Sequence, residues 1–230
     1  MEDRSDTPAS TGGTYADPTP ATPLPASTLA LLREGRKGRE VLLLRRPAHS
    51  SFAPDVWVFP GGRVDPEDLE LDHARHAAGP SPREWAAALS VDDPREAAGY
   101  VVAALRETWE ETGILLSAGV LRSARGRVAR REMLAGRSRL AAHLEALDVR
   151  LATGALRYIG HWVTPEWLPR RFDTRFFVAT VHRRARCTLH GEELAEFRWV
   201  RPAEALEAAS HGSLKLLPPT VHTLRSLDDS

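Results

Sequence analysis

The chain has 230 residues, 42% of them hydrophobic and 27% charged, and its 31 basic residues balance 31 acidic ones to a formal net charge of zero. That length supports one sizeable core rather than two independent domains, and the balanced charge leaves no global basic field of the kind general nucleic-acid binding needs. A single cysteine, Cys187, excludes an internal disulfide and a multi-cysteine zinc site.

No apolar run approaches the ~18 residues of a membrane span, and the first residues lack the apolar core of a secretory leader. A soluble, cytoplasmic protein with no membrane partner is the expectation. Residues 1–27, rich in Thr, Pro, Ala and Ser, have too few large apolar side chains to offset the entropy of ordering, so a disordered tail is predicted there and a single domain over 28–230.

Apolar residues 28–33 and 41–46 flank the turn Glu34-Gly35-Arg36-Lys37-Gly38 and predict a hairpin feeding a third strand at 56–59. That strand ends on Pro60-Gly61-Gly62, a loop able to bring main-chain groups close to a ligand. Residues 66–93 then interrupt the pattern. Within them Ser81-Pro82-Arg83-Glu84 is a Ser N-cap with Pro at the first helical position and Glu at the third, predicting a short helix carrying Trp85, Ala88 and Leu89.

Asp93-Pro94-Arg95-Glu96 repeats the device and predicts a helix running from about Pro94 to Thr112, stopped by Gly113. Its buried stripe is Ala97, Val101, Ala104, Leu105 and Thr108. Residues 117–155 form an Arg-rich helical excursion with Leu134, Leu140, Leu144 and Leu147 facing inward, strands resume at 158–163 and 175–182, and a strand near Trp199 leads into a short helix after Pro202.

Chemistry concentrates in Arg106-Glu107-Thr108-Trp109-Glu110-Glu111-Thr112-Gly113. At about 100° per residue Glu107 and Glu111 share one helical face, and Glu110 lies less than a quarter turn away. Three carboxylates so placed suit a hard cation, Mg²⁺ or Mn²⁺, to which a backbone carbonyl of the glycine turn could add a neutral oxygen. Like charges four apart repel by only a few tenths of a kcal/mol, so the arrangement is tolerable even in a helix with no cation to hold.

The F-P-G-G turn followed by R-E-x-x-E-E-x-G resembles the signature of the Nudix hydrolases, G-x5-E-x7-R-E-U-x-E-E-x-G-U with U a bulky apolar residue. Here the interval between glycine and arginine is longer by about 30 residues, and Thr108 stands at an apolar position. The early family glutamate has no single equivalent; Asp65, Asp68 and Glu96 are the possible stand-ins. A split box of this kind is similar to the peroxisomal coenzyme A diphosphatase branch, as are His161-Trp162-Val163-Thr164-Pro165-Glu166, Arg171-Phe172-Asp173-Thr174-Arg175-Phe176-Phe177 and Leu217-Pro218-Pro219-Thr220.

The resemblance implies an α/β fold, an α/β/α sandwich with a mixed central sheet plus helical insertions. It also implies a metal-dependent diphosphatase acting on a nucleotide-containing small molecule, coenzyme A or an acyl derivative. ADP-ribose, NADH or a dinucleoside polyphosphate are the alternatives, and a non-catalytic nucleotide-sensing domain is a third. Glu107, Glu110, Glu111 and Gly62 become the metal ligands, Glu110 or Glu193 the base, and Arg106 the residue that holds the glutamates in place.

Among the arginines near the box, Arg45, Arg46, Arg170, Arg171 and Arg175 could aim a guanidinium at a diphosphate. Arg46 and Arg171, with Phe172, are the expected substrate contacts. The basic cluster between Arg122 and Arg139 reads as a solvated face and the His73/His76 pair as part of the insertion, while Trp162, Trp167 and Phe172 are rings that could stack on a base but at strand positions are more often core.

Overall fold

The computed structural model describes residues 20–50, 53–119, 123–189 and 194–228. In chain order it runs β1 Leu24–Gly35, β2 Gly38–Arg45, β3 Trp57–Val58, β4 Gly61–Arg63, α1 Pro66–Glu70, α2 His73–His76, α3 Pro82–Leu89 and α4 Pro94–Thr112. Then follow β5 Ser117–Ala118, α5 Ser123–Leu134, α6 Leu140–Leu147, β6 Arg150–Leu151, β7 Arg157–Val163, β8 Phe172–Thr180, β9 Glu196–Val200, α7 Pro202–Ser210 and α8 Pro218–Asp228.

Among the described residues seven strands make one mixed sheet in the order β3-β2-β1-β8-β7, with β4 added to β1 and β9 to β2. β1 and β8 are parallel; the other pairs are antiparallel. Strand alternation sorts the side chains into two cores. Leu29, Leu31, Leu42, Leu44 and Phe177 face α4, where Tyr100, Val101, Leu105 and Trp109 are buried. Ala30, Leu32, Val41, Leu43 and Val178 face the other way, onto Ala205 of α7 and Leu224 and Leu227 of α8. A sheet covered on both faces explains why β1 and β2 read as continuous apolar runs, and it is the α/β/α sandwich expected.

The predicted caps are present. Ser81 and Glu84 close a capping box on α3, Asp93 accepts from the Arg95 N–H at the start of α4, and Gly113 ends α4 with φ +72° and its N–H on the Trp109 carbonyl. Thr108 is fully buried at its apolar position because its Oγ1 donates to the Ala104 carbonyl at 2.7 Å, which leaves only its methyl group to face the core.

Three expectations change. The first strand begins at Leu24 rather than Thr28, because β8 offers Leu24 through Ser27 a parallel partner that satisfies their main-chain groups; residues 1–19 lie outside the described residues. Trp167 is 81% exposed rather than core, on the connection between β7 and β8. In α6 Leu140 and Leu144 are buried, but Leu134 and Leu147 are only half-buried and Met133 takes an inward place on α5.

Candidate active site

The site is built where α4 runs along the free edge of the short strand β4. Leu29 N–H donates to Pro60 and Val64 N–H to Pro25, so the antiparallel alternation directs the main-chain groups of Gly62, midway between them, toward Ser27. Gly61 and Arg63 therefore point outward, and α4 side chains meet them. Glu111 Oε2 accepts the Gly61 N–H at 3.0 Å, and Arg106 Nη2 donates to the Arg63 carbonyl at 3.0 Å. The glutamates thus reach the glycine turn across the long detour in the chain.

Crowding by main chain requires glycine at 61, and a flexible side chain crowds position 62. A Cβ on Gly61 would lie 2.3 Å from the Ser27 carbonyl oxygen, and one on Gly62 would lie 2.4 Å from the Glu107 carboxyl carbon. The Glu107 carboxyl group rests directly on the bare Cα of Gly62. Because the obstructing atoms at Gly62 belong to the end of a flexible side chain, Gly62→Ala should leave the melting temperature within a few degrees of wild type, as a strain of under about 1 kcal/mol implies. It should push Glu107 aside and weaken Mn²⁺ binding, read by calorimetry, by about tenfold or more.

Arg106 is the hub. It is 8% exposed and makes a two-pronged contact with Asp68, Nε to Oδ1 and Nη2 to Oδ2, both at 2.8 Å. Its Nη1 donates to Glu107 at 2.9 Å and to Glu110 at 3.1 Å, and Asp65 lies 3.5 Å from Nη2. Of Asp65, Asp68 and Glu96, it is Asp68, 3% exposed and the sixth residue after Gly62, that makes the two-pronged contact with Arg106. It gets there because α1 rides close on α4 at Gly99, where an added Cβ would lie 2.5 Å from Leu69 Cδ2.

One guanidinium faces four carboxylates, so the centre carries an excess of negative charge in a partly desolvated place. Burial raises the pKa of the Glu110 carboxyl to about 7, with Arg106 opposing and the Glu107 and Asp68 charges assisting. Burial likewise raises Glu107, against the pull of Arg106. For Arg106 burial works against the charge, but Asp68, Glu107 and Glu110 more than offset it and the pKa is raised.

Among the described residues no three acidic, histidine or cysteine side chains converge as a ready-made cage, since Glu107 and Glu110 are both drawn onto Arg106. The donor set still suits a divalent cation of the hard, oxygen-seeking kind: all-oxygen and with four carboxylates around one guanidinium. The register also changes which carbonyl is available. That of Gly62 turns toward Ser27, whereas that of Gly61 turns to the side where Glu111 sits.

The remaining expected site residues are dispersed. Arg46 follows β2, which pairs with β3 just ahead of the glycine turn, and its Nη2 donates to Ser50 at 2.9 Å. Arg171 is committed to main chain, donating to the Thr164 and Ala21 carbonyls at 3.0 and 2.8 Å. Phe172 pairs with Leu24, three residues from the Ser27 level, and by alternation shares the face of Phe176 and Val178, turned away from α4. Glu193 lies outside the described residues. Of the basic cluster, Arg130 is nearly buried and caps α4 through two bonds to the Glu110 carbonyl, and Arg139 pairs with Glu67 and Glu70.

Residues 16–227 match the family described as the NUDT19 Nudix domain. A human acyl-coenzyme A diphosphatase, NUDT19, is 30% identical over 83% of this chain and 61% of its own length. A putative Nudix hydrolase 7 of Caenorhabditis elegans is 27% identical over 87% and 60%. The chain thus spans about three fifths of these curated relatives. A Nudix hydrolase from Alicyclobacillus acidocaldarius superposes with a TM-score of 0.75 at 34% identity, covering 91% of this chain and 92% of that one. A shared fold, a family match across nearly the whole chain and a split R-E-x-x-E-E box reassembled on a glycine turn place this protein among the Nudix hydrolases, in the NUDT19 branch.

Proposed function

We propose that the chain is a metal-dependent diphosphatase of coenzyme A or its acyl derivatives, cutting them to 3′,5′-ADP and a phosphopantetheine product. The observation that carries this reading is the convergence of Glu107 and Glu111 on Gly62 and Gly61, with Glu110 beside them on Arg106. Support for the substrate comes from the named activity of the NUDT19 relatives.

Glu107, Glu110, Glu111 and an outward carbonyl of the glycine turn would hold Mg²⁺ or Mn²⁺. Bound there, the cation would supply Lewis acidity, neutralising phosphate charge and acidifying a water molecule. Arg106 orients Glu107 and Glu110 from behind by charge-assisted bonds, and Asp68 fixes Arg106 in turn. Glu110 and Glu193 are the candidate bases for the proton of the attacking water. Arg46 is a candidate contact for the diphosphate. The attack forms one phosphorus–oxygen bond and breaks the bridging one, so the diphosphate leaves as two monoesters.

Incubation with coenzyme A, an acyl-coenzyme A, ADP-ribose, NADH and a dinucleoside tetraphosphate, each with and without Mn²⁺ or Mg²⁺, tests the reading. Mass spectrometry should find 3′,5′-ADP from the first two, in the metal-containing reactions alone. Faster cleavage of ADP-ribose or NADH would move the assignment to that substrate, and no metal-dependent cleavage of any would leave a nucleotide-sensing domain.

A further inference from the structure

Arg175 is a largely buried cation whose Nε, among the described residues, lacks a hydrogen bond. It is 7% exposed, and its ion pair with Asp173 Oδ1, at 3.9 Å, is too long for a hydrogen bond. Asp173 is instead held by His161, whose Nε2 lies 2.6 Å from that same oxygen. What fixes the Arg175 guanidinium is the ring of Tyr100 on α4, 5.4 Å from it. Compare Arg106, equally buried, which makes five hydrogen bonds.

Its place in the sheet is informative. Ser27 of β1 pairs with Gly62 on one edge and with Arg175 on the other, so the three form a row across the strands with their side chains on one face. The face is that of α4: Glu107 lies over Gly62, Ser27 Oγ donates to the Tyr100 carbonyl at 2.6 Å, and Arg175 meets the Tyr100 ring. Two strand spacings put Arg175 about 10 Å from Gly62. Two helical turns put Tyr100 about 10 Å from Glu107 along α4. Both rulers, taken along the main chain, set Arg175 beyond a diphosphate seated at the glycine turn, whose two phosphorus atoms share one oxygen, yet within the span of one nucleotide.

We propose that Arg175 anchors a second anion subsite, which takes a phosphate monoester on the nucleoside part of the substrate, the 3′-phosphate of coenzyme A, and not the diphosphate that is cut. The identity of that phosphate rests on the coenzyme A reading above. Strand alternation hides the residue in the sequence: Arg175 shares a face with the core residue Phe177, where an unpaired charge is not expected.

The test is equilibrium binding of 3′,5′-ADP and of 5′-AMP, which needs no turnover. Wild type should prefer 3′,5′-ADP by about 10- to 100-fold, the worth of a charge-assisted contact. In Arg175→Gln the preference should fall toward one. Arg175→Lys, which keeps the charge but not the two-pronged geometry, should retain part of it and decides the matter should the Gln variant melt early. A wild-type preference near one, or a full preference in a folded Arg175 variant, overturns the proposal. Failure of the coenzyme A reading shows separately, as absence of coenzyme A cleavage by a wild type that still discriminates the two nucleotides.

Discussion

Glu111→Gln should lower kcat/KM by about 10²–10³-fold, the usual consequence of removing one preorganised electrostatic contact from a phosphoryl-transfer site, while leaving the protein folded. The amide oxygen of Gln can still accept the Gly61 N–H that Glu111 accepts at 3.0 Å, so the junction of α4 with the glycine turn survives. What is lost is one negative charge. Glu110→Gln should behave alike, because its amide oxygen can still accept from Arg106 Nη1. Steady-state rates at saturating Mn²⁺, a thermal melt and Mn²⁺ calorimetry on both variants check this. Wild-type rates in the two together would remove the catalytic assignment, whatever the fold.

Arg106→Ala should unfold the protein more readily by about 3–5 kcal/mol, since it deletes one partner of a buried charge cluster and strands the rest. Asp68, 3% exposed, would lose both prongs of its contact, and Glu107 and Glu110 their shared donor. The loss should depend on pH, with a definite sign. The folded Glu110 pKa, about 7, lies above its unfolded reference of 4.5. Its proton therefore favours the folded state, a contribution complete below about pH 4.5 and lost as pH rises through about 7.

Glu107 is shifted in the same direction. Without Arg106 both carboxyls are harder still to ionise, so urea denaturation of the metal-free variant should show a larger deficit at pH 8 than at pH 6. Saturating Mn²⁺ should stabilise wild type more at pH 8 than at pH 6, because the cation favours the ionised carboxylates. A deficit of under 1 kcal/mol, equal at both pH values, would show that Arg106 does not hold the cluster together.

The box helix was legible from end to end because its signals are local. A Pro at the first turn, an Asp before it, a Gly after the last turn and apolar residues at helical spacing depend on neighbours within a few positions, and α4 spans Pro94–Thr112 accordingly. The same holds for the short helix α3 and its capping box. The start of the first strand is not local in this sense: Leu24 through Ser27 look like linker and become strand through a parallel partner some 150 residues on, which no local pattern reports.

The site shows the same division. By itself the sequence determined the chemistry: three glutamates at helical spacing, the arginine before them and a Pro-Gly-Gly turn, because side-chain identity and helical period suffice to say which groups share a face. Only the tertiary structure decided that α1 sets Asp68 on Arg106, that the β4 register turns Gly61 rather than Gly62 outward, and that Arg171 is spent on main-chain carbonyls while Arg175 Nε, among the described residues, is left without a hydrogen bond. Those are matters of strand register and of how closely two elements approach, and a one-residue change in register reverses the direction of every group along a strand.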